Sequence, residues 1–479
     1  MIISDCRSPG NARPLAGLFL SLTLVSCHVE RTPSITATSQ LTQNGERRVL
    51  TLSHTPEEVT RGAAVTTLAP DRVVGGGRDG FGYVVDVASS GTSLFVLDGL
   101  AREVRRFDDK GEEAGRFGRD GEGPGEYQYP IAIAASDSAV VTWQYPSTQA
   151  LAVWSQSGGL RVAADAPVDG DWDSGQWKKP RFLSPITVGP EDLSHRLRFA
   201  DQTTIVHQVQ PDEEAFRREG QPYPYEVPPA YLVTYDLDLA VIDTLAVLSG
   251  ARLKIIEDTV PVPNTGRMER IHFAHELLYA SRPVWATGEG TLLLTHGDSA
   301  GAVIRGADGS LVLEIRWPDR RRPIDDTDKR EAAQWMLAYE VISSTSSREM
   351  FEDYSRREIE EGIRVTAQEW TRFADYAPTV TAAFVAGECA FLAGFSPREN
   401  QHGIALTWIV INFRDGSLQG VVRFQPATTL ELGNGGSIDR HGGAARAFTT
   451  KHAYVLTVDG DGESYVERFA LPAEYDCGN

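Results

Sequence analysis

The feature that most constrains the fold is a repeat of short β-rich segments that begins beyond about residue 80. The segment "SLFVLDGLAREVRRFDDKG" reads as two strands and a tight turn, and "AVVTWQYPSTQALAVWSQSGG" repeats that order. The two units begin near Leu94 and Val140, about 46 residues apart. A period of about 40 to 50 residues with four strands per unit predicts a ring of small antiparallel sheets, a β-propeller.

Later units share one register, in which a proline opens an apolar strand. Pro130, Pro283 and Pro378 each take this position, where a strand tolerates a missing N–H. Six blades are predicted, over residues 81–118, 127–166, 180–250, 281–318, 377–426 and 430–472. The expected fold is therefore all-β, a six-bladed β-propeller of four-stranded antiparallel blades over residues 47–479, with residues 47–53 as the strand that completes the last blade.

One long segment, residues 323–373, interrupts the succession of predicted β-strands and predicts a helical insertion. Asp325 is a plausible N-cap, and apolar residues from Ala332 to Ile342 recur at helical spacing. We expect this insertion to pack on the rim of the propeller, with a functional lid as the alternative.

The stretch "FGRDGEGPGEYQYPIAIAASDSAVVTWQ" resembles the NHL repeat, which has a glycine-rich patch, an aromatic residue, a proline and an apolar strand. Gly121, Gly123, Gly125, Tyr127 and Pro130 match that pattern. The resemblance is good over the first two predicted blades and fragmentary afterwards. It implies an NHL-like propeller, more broadly a six-bladed β-propeller lipoprotein of bacteria, and NHL-type propellers are mostly interaction platforms.

The same glycine-rich stretch does not have the pattern of a ligand-binding loop. It lacks the Gly-Lys-Ser/Thr that completes a phosphate loop, and Asp120 and Glu122 are too few oxygen ligands for a calcium loop. We interpret it as a connection between blades, in which glycine lets the backbone turn with positive φ.

Residues 1–26 read as a lipoprotein signal peptide. Arg7 and Arg13 precede an apolar run of eleven residues, "LAGLFLSLTLV", which is shorter than the roughly 20 residues that span a bilayer. The run ends in "LVSC", which resembles the bacterial lipobox and implies cleavage before Cys27 and acylation, with palmitate among the acyl chains; the alternative is an ordinary cleaved signal. Several acyl chains anchor a protein stably. The polar residues 27–46 predict a flexible tether.

The charge of the chain restricts its partners. A formal net charge of -20 argues against nucleic acid, whose binding requires clustered Lys and Arg, and against adhesion to anionic lipid. Membrane contact is therefore expected through the lipid anchor only. Position 28 is His rather than Asp. By the sorting rule of the lipoproteins that the N-terminus resembles, this implies delivery to the outer membrane, with the protein facing the periplasm or the cell surface.

Two cysteines remain after Cys6 is removed with the signal peptide and Cys27 carries lipid. Cys389 and Cys477 would then lie in an oxidising compartment, where they either form a disulfide or stay as buried thiols. Neither lies in a zinc-binding spacing.

The mouth of the predicted channel supplies the binding candidates. If the proline-opened strands are innermost, Tyr129 and Arg282 lie at this mouth, and Trp285 lies further along the strand that follows Arg282. An arginine there would favour a carboxylate or phosphate, and a tyrosine a ring or sugar face. The alternative for Arg282 is an ion pair with an acid of a neighbouring blade.

Candidates for metal and covalent chemistry are weaker. His272 and His275 do not form a His-Glu-x-x-His motif, and only convergence with His207 and His296 would give a histidine metal site. No serine lies in a Gly-x-Ser-x-Gly elbow. No cofactor and no metal site are predicted, with calcium in a structural or catalytic role as the alternative.

The sequence thus favours a non-catalytic binding propeller in the cell envelope, with a protein, peptide or glycan as its ligand. The alternative is a divalent-metal-dependent lactonase or lyase of the six-bladed type, which gathers acids and histidines from several blades at one channel end. The innermost strands offer mostly Ala, Ile, Val and Thr, with Asp86 and Glu388 near strand ends. The question of an enzyme stays open, with binding preferred.

Overall fold

The computed structural model describes most of the chain from residue 36 onward. The described residues are 36–45, 47–75, 80–144, 151–164, 197–209, 230–248, 253–261, 268–276, 279–331, 373–396, 406–426, 430–431, 437–438, 444–458, 464–475 and 477–478. The predicted signal peptide with Cys27 lies outside them, as do residues 332–372 of the predicted helical insertion. Within the described insertion, residues 326–331 are helical. Across all these ranges, no helix combines the length and the apolar character needed to cross a membrane.

Six blades and an N-terminal segment contain most of the described secondary structure. The N-terminal segment contains β1 (Ser39–Asn44), β2 (Arg47–Leu52), α1 (Pro56–Gly62), β3 (Thr66–Leu68) and β4 (Arg72–Gly75). Blade 1 contains β5 (Val84–Ser90), β6 (Ser93–Asp98), β7 (Glu103–Phe107) and β8 (Glu113–Phe117). Blade 2 contains β9 (Pro130–Ala135), β10 (Val140–Gln144), β11 (Leu151–Trp154) and β12 (Leu160–Ala164). Blade 3 contains β13 (Leu197–Phe199), β14 (Ile205–Val209), β15 (Ala230–Tyr235) and β16 (Val241–Leu248). The hairpin of β17 (Leu253–Pro261) and β18 (Met268–Glu276) follows blade 3.

The second half of the ring has the same organisation. Blade 4 contains β19 (Pro283–Gly288), β20 (Thr291–His296), β21 (Gly301–Gly306) and β22 (Leu311–Arg316). Blade 5 contains β23 (Ala382–Ala386), β24 (Cys389–Ala393), β25 (Thr407–Asn412) and β26 (Ser417–Phe424). A short pair, β27 (Leu430–Glu431) and β28 (Ser437–Ile438), precedes blade 6, which contains β29 (Ala444–Phe448), β30 (His452–Val458), β31 (Ser464–Ala470) and β4.

The blades form a closed ring around one axis. Within each blade consecutive strands pair antiparallel, and the first strand is innermost. The innermost strands contact one another in cyclic order, from β5 through β9, β13, β19, β23 and β29 back to β5. The predicted six-bladed all-β propeller is therefore confirmed. The first five predicted ranges each contain the four strands of their blade, and the sixth contains three of the four strands of blade 6.

One hydrophobic cluster fills the space between each pair of neighbouring blades, six in all among the described residues. Between blades 1 and 2, for example, the Phe117 and Trp154 rings lie 5.0 Å apart and pack with the buried Phe95. Because both faces of a blade are covered, its central strands read as continuous apolar runs: all six residues of β25 are buried.

The ring is closed by a different strand from the one predicted. Residues 47–53 do not complete blade 6; β2 pairs in parallel with β22 on the outside of blade 4, where Leu50 and Leu52 enter the cluster between blades 4 and 5. β4 instead pairs antiparallel with β31 and completes blade 6. β2 and β4 are both short strands, and their sequences do not specify which sheet edge each one pairs with.

The N-terminal segment therefore runs as a strap along three consecutive blades. β2 lies on blade 4, β3 pairs in parallel with β26 on blade 5, and β4 lies on blade 6. Between them, α1 begins with a capping box, in which Thr55 and Glu58 bond each other's backbone N–H. Residues 39–44, which belong to the tether predicted over residues 27–46, form β1 and pair with β2, while residues 27–35 lie outside the described part of the chain.

Two local predictions have different outcomes. The glycine-rich stretch does connect blades 1 and 2, and Gly118 has a φ of +79°, with the buried Tyr127 ring where a Cβ would stand. Pro130 and Pro283 open β9 and β19 as expected. Pro378 does not open its strand, since β23 begins at Ala382.

Cys389 and Cys477 form a disulfide across a Cα–Cα distance of 4.9 Å. Cys389 opens β24 in blade 5, and Cys477 follows the last strand of blade 6. The bond thus ties the C-terminal end of the chain back to the preceding blade, inside the cluster between blades 5 and 6.

Candidate functional site

Three ionisable side chains stand on the six innermost strands, which are otherwise lined by apolar and small residues. They are Asp86 on β5, Arg198 on β13 and Arg446 on β29, in blades 1, 3 and 6. All three strands line the axis of the ring, and both arginines are close enough for their charges to act on the Asp86 carboxyl. We refer to these three residues, together with Phe384 on β23, as the axial cluster.

Asp86 is the most deeply buried member of the axial cluster, with 0% of its surface exposed. Its Oδ2 accepts a hydrogen bond from the Ile133 backbone N–H of blade 2 at 3.0 Å. Its Oδ1 has no hydrogen-bond partner within the part of the chain that the structure describes. Burial raises the pKa of this carboxyl from 3.8 to about 6, and the charges of Arg198 and Arg446 oppose that rise.

Arg198 reaches across the ring from blade 3. Its guanidinium lies 5.2 Å from the centre of the Phe384 ring in blade 5, although blade 4 separates the two blades. The side chain is half-buried, whereas Arg446 is only 3% exposed. Burial lowers the pKa of Arg198, and the Asp86 carboxylate works against that effect.

Local sequence explains how these strands direct charge towards the axis. Leu197 and Phe199 are buried in the cluster between blades 2 and 3, so Arg198 takes the opposite side of its strand. On β29 the pairing register shifts between Ala445 and Ala447, which makes Arg446 the extra residue of a β-bulge. Bulges re-aim side chains and are common beside functional sites.

The predicted channel-mouth residues have three different environments. Tyr129 precedes β9 and is 62% exposed, with the Arg102 guanidinium 5.9 Å from its ring centre. Arg282 precedes β19 and is half-buried, and burial lowers its pKa to about 10. Trp285 is not at the mouth: it is 7% exposed, belongs to the cluster between blades 3 and 4, and its Nε1 donates to Gln208 Oε1 at 2.7 Å.

The histidines considered for a metal site have separate surroundings where they are described. His207 is buried beside Trp143, with ring centres 4.7 Å apart, in the cluster between blades 2 and 3. His296 bonds Asp298 through Nδ1. The side chains of His272 and His275 lie outside the described part of the molecule. Within that part, no group of three or more His, Cys, Asp or Glu side chains has the geometry of a metal site.

Sequence reasoning noted Asp86 but missed Arg198 and Arg446. A detectable signal exists, because each arginine interrupts an apolar strand, in "LRF" and "AARAF". The strand β13 has only three residues, which is too short for the interruption to be evident from the sequence.

The fold and the axial cluster define a six-bladed β-propeller with one carboxylate and two guanidiniums gathered at its centre. No family model and no curated protein match the chain. Among solved structures, a member of the DUF4221 family from Bacteroides vulgatus is similar at 8% identity and a TM-score of 0.42, over 84% of this chain and 97% of that one. A Bacteroides fragilis protein described as exported is similar at 9% identity and a TM-score of 0.38, over 85% and 99%.

Proposed function

We propose that the protein is a non-catalytic binding propeller of the bacterial cell envelope. The observation that carries this proposal is the axial cluster. Guanidinium groups stay protonated at neutral pH and recognise anions through fixed N–H donors, so two of them around one carboxylate suit binding better than proton transfer. A protein, peptide or glycan of the envelope is the proposed ligand.

The attachment to the membrane is the second part of the proposal. The "LVSC" sequence supports cleavage before Cys27 and acylation of its thiol, which would hold the propeller at the outer membrane facing the periplasm or the cell surface. Growth with an alkyne analogue of palmitate should label the wild-type protein and leave Cys27→Ser unlabelled. A mature N-terminus without lipid, measured by mass, would contradict this part.

The choice between binding and catalysis is testable on the purified protein. We expect no metal-dependent turnover of lactones, peptidyl-hydroxyglycines or glycans, and no stoichiometric calcium or zinc after dialysis. Metal-dependent turnover of any of these substrates, abolished by a chelator, would replace the binding proposal with the lactonase or lyase alternative.

A further inference from the structure

We infer that the axial cluster binds a small carboxylate-bearing molecule, or the end group of a larger ligand, in which the carboxylate is accompanied by a neighbouring hydroxyl or ammonium group. This inference rests on the proposed binding function and specifies its ligand chemistry. Arg198 and Arg446 hold the carboxylate, and Asp86 accepts the hydrogen bond of the neighbouring donor.

The charge of the cluster favours an anion. The three ionisable side chains of the innermost strands, one carboxylate and two guanidiniums, sum to one positive unit, and the other residues of these strands are apolar or small. A single carboxylate from a ligand would neutralise this charge. Each guanidinium has five N–H donors in a planar fork, which can bond a carboxylate while keeping other contacts.

The free acceptor of Asp86 selects among anions. Its Oδ1 is fully buried and without a hydrogen-bond partner among the described residues, while Oδ2 is held by Ile133. By contrast Asp98, almost as deeply buried in the same blade, accepts four backbone N–H groups, from Gly82, Tyr83, Leu100 and Ala101. A ligand hydroxyl or ammonium would donate a hydrogen bond to Oδ1. An anion without such a donor would leave Oδ1 unpaired, and the Asp86 carboxylate would repel it.

Access to the cluster distinguishes a ligand site from a structural ion network. Arg198 is half-buried, whereas Asp86, Arg446 and Phe384 are buried, so Arg198 is the member of the axial cluster that solvent reaches. Its contact with Phe384 also holds the guanidinium between two blades that do not touch as neighbours, at the centre of the ring. A cluster that served only to join blades would need neither the partly exposed arginine nor the unpaired oxygen.

Four small probes test the inference on the purified full chain in detergent, by calorimetric titration at neutral pH. Glucuronate has a carboxylate and hydroxyls, glycine has a carboxylate and an ammonium, acetate has the carboxylate alone, and glucose has hydroxyls alone. We expect glucuronate or glycine to bind at least about tenfold more tightly than both acetate and glucose, since one hydrogen bond to a charged group is worth about that factor. Which of the two binds identifies the donor as hydroxyl or ammonium.

Substitutions then locate the site. Arg446→Gln should weaken the preferred probe by about 10- to 100-fold, and Asp86→Asn should reduce its affinity to that of acetate. Arg105→Gln is the matched control: Arg105 is a buried arginine of blade 1 that pairs with Glu113 on the outer strand, away from the axis, and its loss should leave binding unchanged.

Several outcomes would overturn the inference. They are equal binding of acetate and of the preferred probe, tighter binding of inorganic phosphate, titrated as a fifth probe, than of both glucuronate and glycine, absence of binding by the first four probes, and equal losses in Arg446→Gln and Arg105→Gln. If Arg446→Gln does not fold, the comparison of the four probes on the wild-type protein decides alone. An envelope peptide or glycan that binds wild type and Arg446→Gln equally would preserve the proposed function and refute only the axial site.

Discussion

Replacing the Asp86 carboxylate by an amide, in Asp86→Asn, should make the protein more stable at neutral pH. The carboxyl is fully buried, and burial raises its pKa from 3.8 to about 6. A shift of about two pKa units corresponds to about 3 kcal/mol between the two protonation states. The ionised side chain therefore lowers the free energy of unfolding by about this amount relative to a neutral one.

The sign of the pH dependence follows from linkage. Because the pKa of Asp86 is raised in the folded state, its stabilising contribution is fully present below pH 3.8 and is lost as the pH rises through about 6. The amide of the Asp86→Asn variant would imitate the neutral form at every pH. The variant should match the wild type near pH 4 and exceed it by about 3 kcal/mol above pH 7.

Urea unfolding followed by tryptophan fluorescence at several pH values between 4 and 8 measures this difference. Other titrating groups contribute equally to both proteins, so the difference between the two curves isolates Asp86. Asp98→Asn is the matched control, because Asp98 is buried in the same blade and its four backbone N–H bonds should make that variant about 1–3 kcal/mol less stable at pH 7. A less stable Asp86→Asn at pH 7.5, or a difference that does not change with pH, would refute the reasoning.

Two further predictions concern the framework of the ring. Cys389→Ser should lower the free energy of unfolding by about 4 kcal/mol, since the bond to Cys477 closes a loop of 88 residues; equal urea midpoints for wild type and variant under non-reducing conditions would contradict this. Gly118→Ala should cost about 2 kcal/mol or more, because its φ is +79° and the new Cβ would stand 2.2 Å from the Tyr127 ring. Gly115→Ala, where nothing lies within 4 Å of the added Cβ, should be close to neutral in the same thermal unfolding experiment.

The number and the limits of the blades were predictable because each blade carries its own local pattern. Pro130 and Pro283 mark the start of innermost strands, and the glycine-rich turn before Pro130 marks a connection between blades. Such signals are local, so a single sequence is enough to detect them.

Features that depend on distant partners were not predictable. A short strand such as β2 or β4 has the same pattern whichever sheet edge it meets, and this led to the wrong closing strand. The axial cluster was not predictable for the same reason, because Asp86, Arg198 and Arg446 come together only when the ring closes. Trp285 was misplaced because an aromatic residue near a channel mouth and one packed between blades look alike in the sequence.

The strap has a consequence for how the molecule is made. β4 is synthesised well before its partner β31, and the ion pair of Asp71 with Arg468 joins positions 397 residues apart. The growing chain must therefore keep β4 unpaired until β31 of blade 6 emerges, whereas β1, β2 and β3 find their partners earlier. A chain cut short before β31 leaves β4 without its partner, and an unpaired strand exposes backbone groups that can pair with another chain and cause aggregation.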